Sequence, residues 1–96
     1  MTRDEFKRSL GNAAPPPGLT PVLVALWHDA KGDWEAAHRV AQDVDDENGA
    51  WVHAYLHRKE GDASNADYWY RRAGRRHARM ALDAEWAEIV TALLSV

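Results

Sequence analysis

Residues 51–74 read WVHAYLHRKEGDASNADYWYRRAG, and the spacing within them decides the fold. Trp51, Val52, Ala54, Tyr55 and Leu56 follow a helical period, Gly61-Asp62 interrupts it, and Ala66, Trp69, Tyr70 and Ala73 resume it as far as Gly74. The segment reads as helix, tight turn, helix. It holds two of the five tryptophans, all three tyrosines and two of the five histidines. Aromatic side chains of that size need neighbouring helices to cover them.

The same pattern occurs upstream. Gly32-Asp33 and Gly61-Asp62 stand 29 residues apart. On that offset Leu26 falls on Tyr55, Trp27 on Leu56, His28 on His57, Ala37 on Ala66, Val40 on Trp69 and Ala41 on Tyr70. Glycine permits the left-handed residue that ends a helix, and aspartate caps the next one. Alanine four residues after the aspartate lets the two helices approach closely. Two such units side by side bury a continuous core.

Over roughly residues 21–74 this pattern resembles the tetratricopeptide-like and Sel1-like helical-repeat families. The stretch AYLHRKEGDASNADYWYRRAG is also similar to segments of small bacterial proteins of that fold. The resemblance implies a right-handed superhelix of antiparallel hairpins and a binding role. It supplies no enzyme activity and no ligand. The offset departs from the tetratricopeptide period of about 34 residues, and the proline near the end of the second helix is missing.

The remaining chain extends this reading. Residues 4–10 suit one or two helical turns with Phe6 and Leu10 as the apolar pair, and Pro15, Pro16 and Pro17 form a stiff connector. Residues 1–18 are thus an N-terminal arm, flexible or partly helical and loosely attached. Residues 19–96 are the helical domain. Thr20-Pro21 starts a helix over 21–31, followed by helices over 34–44, 50–60 and from 64 or 65 to 73. Asp62 or Ser64 caps the fourth. The acidic run 43–47 and Asn48-Gly49 form a loop that lacks the ligand pattern of a calcium site. Asp83 is the expected cap of a last helix over 84–94, whose Trp86, Ile89, Val90, Leu93 and Leu94 stripe covers the second hairpin. The fold class expected is all-α: two antiparallel helical hairpins and a C-terminal helix.

Composition narrows function by exclusion. The net charge of -3 argues against whole-surface attraction to nucleic acid or anionic lipid. The absence of cysteine removes disulfides, thiolate metal sites and a cysteine nucleophile. The longest apolar run, 22–27, is far too short for a bilayer. A cytoplasmic protein without a membrane partner is the expectation.

Candidate sites come from helix register. His53, His57 and Glu60 fall within an arc of about 60°, away from the apolar side of their helix. The histidine pair can ligate a metal with a carboxylate as third ligand, yet Ala54-Tyr55-Leu56 between them lacks the glutamate of the zinc-protease motif. No metal or other cofactor is expected; hydrogen bonds to acids or tyrosines are the simpler use. If His38 and Gln42 converge with His53 and His57, the four line a polar cleft for a carboxylate, phosphate or amide. Glu60 completes the cleft, Tyr68 and Arg71 stand at its rim, and His57 is the candidate acid–base group. Arg71, Arg72, Arg75, Arg76 and Arg79 form the basic patch of an acidic chain. It suits neutralising the loop 43–47, an acidic protein surface, or phosphate groups; nucleic-acid binding is not expected. The first functional reading is a non-catalytic protein-interaction or scaffolding module, self-associating through surplus aromatic surface. The alternatives are a small-molecule binder or enzyme using the histidine cleft, and nucleic-acid binding through 71–79.

Overall fold

The computed structural model of the chain describes residues 1–95; the final position of the expected 19–96 domain lies outside the described residues. Among these residues there are six helices and no strand: α1 (Arg3–Ser9), α2 (Pro21–Ala30), α3 (Trp34–Gln42), α4 (Glu47–Lys59), α5 (Ala63–Arg72) and α6 (Leu82–Leu94). The all-helical reading holds. No helix among the described residues is long and apolar enough to cross a membrane.

The two Gly-Asp turns are built alike. Gly32 and Gly61 have φ of 86° and 89°, a conformation in which a side chain would collide with its own backbone. The Gly32 and Asp33 amides donate to the carbonyls of Asp29 and His28, each at 2.9 Å. The Gly61 and Asp62 amides donate to those of Arg58 and His57, at 3.1 and 2.9 Å. Each aspartate then opens the next helix: Asp33 accepts from the Ala36 amide at 3.1 Å and Asp62 from the Asn65 amide at 3.2 Å. Caps of this kind contribute about 1 kcal/mol each. Burial follows the same offset, with Leu26 and Tyr55, Trp27 and Leu56, and Ala37 and Ala66 all buried. Consequently α2 packs on α3 and α4 on α5.

Helix α4 is the centre of the molecule. It packs against α2, α3, α5 and α6, and residues 51–57 are buried without a break. Helix α6 covers α2 and α4 with Trp86, Ile89, Val90 and Leu93. The Trp86 indole donates to the Leu26 carbonyl at 3.0 Å.

Several local expectations are corrected. The N-terminal arm is docked rather than loose. Thr2 and Glu5 form a reciprocal capping box, and Phe6 is fully buried 5.8 Å from the Trp86 ring. Lys31 Nζ further ties the Leu10 carbonyl at 2.6 Å. Thr20 precedes Pro21 without a side-chain capping bond. Part of the acidic loop belongs to a helix, because Asp46 accepts from the Gly49 amide at 2.8 Å and starts α4 at Glu47. Gly49 allows this close return: a Cβ there would lie 2.0 Å from the Val44 carbonyl oxygen. Asp83 stands in the first turn of α6 and Ala81 is the cap residue. Trp27, Trp51 and Trp86 are buried and Trp34 and Trp69 half-buried within one chain. Among the described residues the exposed large hydrophobic side chains are Met1, Tyr68 and Met80. The aromatic surplus that motivated self-association is therefore covered by the chain itself.

Candidate functional site

The four-residue spacing of His53 and His57 puts both on one side of α4, the side that meets α3 and α5. There His38 of α3 reaches them. The Nε2 atoms of His38 and His53 are 2.9 Å apart, and one ring nitrogen from each of His38, His53 and His57 lies within 4.8 Å of one from each of the others. The histidines expected on an open polar side are instead packed between helices: His53 and His57 are 6% and 8% exposed. Helical periodicity misassigned this face because α4 is enclosed on all sides.

Aromatic neighbours fix the rings. Trp34, one turn before His38, stacks on it with centroids 4.9 Å apart and planes 13° from parallel. Trp69 of α5 stacks on His53 at 3.9 Å and 18°. The Trp34 indole also donates to the Leu56 carbonyl at 2.8 Å, pinning α3 to α4. His57 Nδ1 meets Glu60 Oε1 at 2.6 Å. Burial, followed by the neighbouring His38 and His57, pulls the His53 imidazole down to about 4. Burial and then His57 lower His38 as well, with Glu60 acting in the opposite direction.

A groove of about 290 Å³ opens beside His53, bordered by Gln42, Trp69, Arg72 and the acidic residues 45–47. Of the expected cleft, His38, His53, His57 and Glu60 come together, and Gln42 borders the groove. Tyr68 is exposed and accepts from Arg72 Nη1 at 3.2 Å. Arg71 is not at this rim: it pairs with Asp67 and borders the basic surface. The expected set His53, His57, Glu60 is also revised, since Glu60 bonds the ring of His57 and His38 is the third member of the cluster.

The basic stretch is not a helical stripe. Helix α5 ends at Arg72, Gly74 has φ of 71°, and residues 75–81 are non-helical. Arg72 lies over Trp69 at 5.2 Å and reaches Asp45 at 3.9 Å, while Arg75 covers Trp51 at 3.3 Å from the ring centroid. Arg76 and Arg79 make no ion pair among the described residues.

Two buried carboxylates were missed by the sequence reading. Glu85, 1% exposed, accepts from Arg58 Nη1 at 2.8 Å and from the Tyr70 hydroxyl at 2.5 Å. Asp29, 2% exposed, accepts from the Tyr55 hydroxyl at 3.0 Å and Lys59 Nζ at 2.9 Å. Burial and these carboxylates hold both phenols protonated. Asp29, Tyr55 and Lys59 stand at a mostly apolar pocket of about 440 Å³ beside Leu10, Leu82 and Trp86. One signal was available: Glu85 sits four residues before Ile89 on the apolar stripe of α6, a charge on a face that must be buried. Neither a family model, nor a curated protein, nor a solved structure matches the chain.

Proposed function

We propose that the chain is a small helical binding module without catalytic activity, and that the groove where α3, α4 and α5 meet is its ligand surface. One observation carries the reading: three imidazoles from two helices converge and are held by Trp34 and Trp69. Catalysis by acyl transfer lacks support, because the hydrogen-bond partners of His38, His53 and His57 are one another and Glu60, with no hydroxyl group among them in the described residues. The repeated Gly-Asp turns favour the resemblance to tetratricopeptide-like modules, which we retain as part of this proposal.

The test is a panel of small anions, amides and divalent metal salts, followed by tryptophan emission and by the imidazole C–H resonances. Saturable changes at His38, His53 and His57, with His28 unmoved, are expected. A panel that moves none of the three histidines overturns the reading.

A protein partner is the second reading. Tyr68 is 50% exposed and stands beside Trp69 and Arg72, two residues that line the groove, and these residue types dominate interface energetics. A pull-down that recovers a partner from wild-type chain and loses it with Tyr68→Ala supports it. Equal recovery with both overturns it.

A further inference from the structure

We propose that His38, His53 and His57 bind one divalent transition-metal ion of the zinc, cobalt or nickel class, with Glu60 positioning His57 from behind. This rests on the reading of the groove as a ligand site and names the ligand.

The donor set selects the class of ion. Three imidazoles suit zinc, cobalt, nickel or copper, whereas magnesium and calcium require oxygen ligands. The spacing is close to what coordination needs. Nitrogens bonded to zinc at about 2.0–2.1 Å in a tetrahedral site lie about 3.3 Å from one another. The Nε2 atoms of His38 and His53 are already 2.9 Å apart, and one ring nitrogen from each of the three histidines lies within 4.8 Å of the others. The His53 and His57 rings lie near-parallel with centroids 4.8 Å apart, so coordination requires the His57 ring to rotate about its side-chain torsions to turn its nitrogen toward the other two. The direct His38–His53 hydrogen bond requires a proton on one Nε2. A neutral imidazole can carry that proton on Nδ1 instead, which frees Nε2 without charging the ring.

The surroundings match those of metal-bound histidines. Such histidines usually give their other ring nitrogen to a carboxylate, which fixes the tautomer and the ring plane. Glu60 Oε1 stands 2.6 Å from His57 Nδ1, so Nε2 is the ligating atom of His57. Trp34 and Trp69 hold the His38 and His53 ring planes. Preorganisation of this kind lowers the ordering cost of binding.

A neighbouring group, His57, Glu60 and Asp62, also has ligand atoms within 4.8 Å of one another. It is the outer layer of the same site rather than a rival. The Asp62 carboxylate is committed to capping α5, accepting from the Asn65 amide at 3.2 Å and from Asn65 Nδ2 at 3.0 Å. Glu60 is engaged by His57. Three protein ligands leave a fourth position for water or an anion, supplied through the groove beside Gln42 and Arg72.

The test uses the full chain, freed of any affinity tag and treated with chelator. Zn²⁺ is titrated by calorimetry and Co²⁺ by visible absorption. One ion per chain is expected, with Co²⁺ ligand-field bands of four-coordinate intensity that Zn²⁺ abolishes, and with a zinc-dependent rise in melting temperature. His53 is deeply buried and its replacement risks unfolding, so the variants are His38→Gln and Glu60→Gln, with helicity checked by circular dichroism. Glu60→Gln should weaken binding about 10–100-fold, His38→Gln by at least as much, and His28→Gln not at all. Metal binding unaffected by His38→Gln and Glu60→Gln places the ion elsewhere and overturns the inference. If anion or amide probes move the three histidines and Zn²⁺, Co²⁺ and Ni²⁺ do not, the inference falls while the binding reading stands. If neither probes nor metals act on them, both fall.

Discussion

His38 Nε2 and His53 Nε2 face each other at 2.9 Å across the α3–α4 contact. Two atoms of the same kind at that distance form a hydrogen bond only when one carries a proton and the other a lone pair. Protonating His53 makes its Nε2 a donor, so the contact then persists only with His38 in the neutral tautomer that carries its proton on Nδ1.

A pH dependence follows for the metal-free chain. The His53 pKa falls from 6.5 to about 4 on folding, first through burial and then through His38 and His57. Arg72, Asp45, Asp46 and Glu47 are the charged groups that border the same groove. A depressed folded pKa means that the folded state takes up its proton later than the unfolded chain. The stability contribution is therefore complete above pH 6.5 and is lost as pH falls toward 4, by up to about 1.4 kcal/mol per pH unit. Urea denaturation from pH 7.5 to 4 should show this decline; a flat profile between 6.5 and 4.5 contradicts it.

Gly49→Ala should destabilise the protein although it lies in a helix. Helix propensity alone favours alanine by about 1 kcal/mol. Here the new Cβ would meet the Val44 carbonyl oxygen at 2.0 Å and Val44 Cβ at 2.8 Å, so the α3–α4 connection must move. A net loss of about 1–3 kcal/mol is expected. An unchanged or raised melting temperature shows that the connection yields freely.

Glu85 should prove costly to remove. Glu85→Ala strips Arg58 and Tyr70 of their buried acceptor, and breaking such a pair costs about 3–5 kcal/mol. Tyr70→Phe removes one hydrogen bond to a charged group and should cost about 1.5–3 kcal/mol. Chemical denaturation of both variants provides the check, and losses below about 1 kcal/mol in both assign the network no stabilising role.

The basic stretch should not hold nucleic acid. Arg71 is paired with Asp67, Arg72 lies against Trp69 near Asp45, and Arg75 covers Trp51. That leaves Arg76 and Arg79 on a non-helical segment, too few for the salt-dependent phosphate contacts that dominate such binding. Fluorescence anisotropy with short duplex DNA and single-stranded RNA at about 150 mM salt should stay at background. A salt-sensitive affinity abolished by Arg76→Ala with Arg79→Ala reverses the prediction.

The legible parts of this chain were those governed by local chemistry. Gly32-Asp33 and Gly61-Asp62 announce their turns because few residues can end a helix and begin another within three positions. Helical register also puts Tyr68 and Tyr70 on different sides of α5, where one is exposed and the other buried. The surroundings of α4 were not legible. Residues on four sides of a central helix all become buried, so its histidine face resembles a solvent face until α3 and α5 are in place. The stacking roles of Trp34 and Trp69 were not legible for the same reason: their partners lie one turn away or on another helix. Thr20 and Asp83 have the composition of caps, yet α2 and α6 start at Pro21 and Leu82 without a side-chain capping bond.

The doubled use of one aspartate in each turn couples helices that would otherwise fray separately. The amide of Asp33 is among the last donors that close α2, and its carboxylate is the first acceptor of α3; Asp62 serves α4 and α5 in the same way. Local opening at either turn exposes the end of one helix and the beginning of the next in a single event. Amide hydrogen exchange should therefore divide the domain by helix pairs rather than by helices, with the residues around Asp33 sharing one opening free energy and those around Asp62 another.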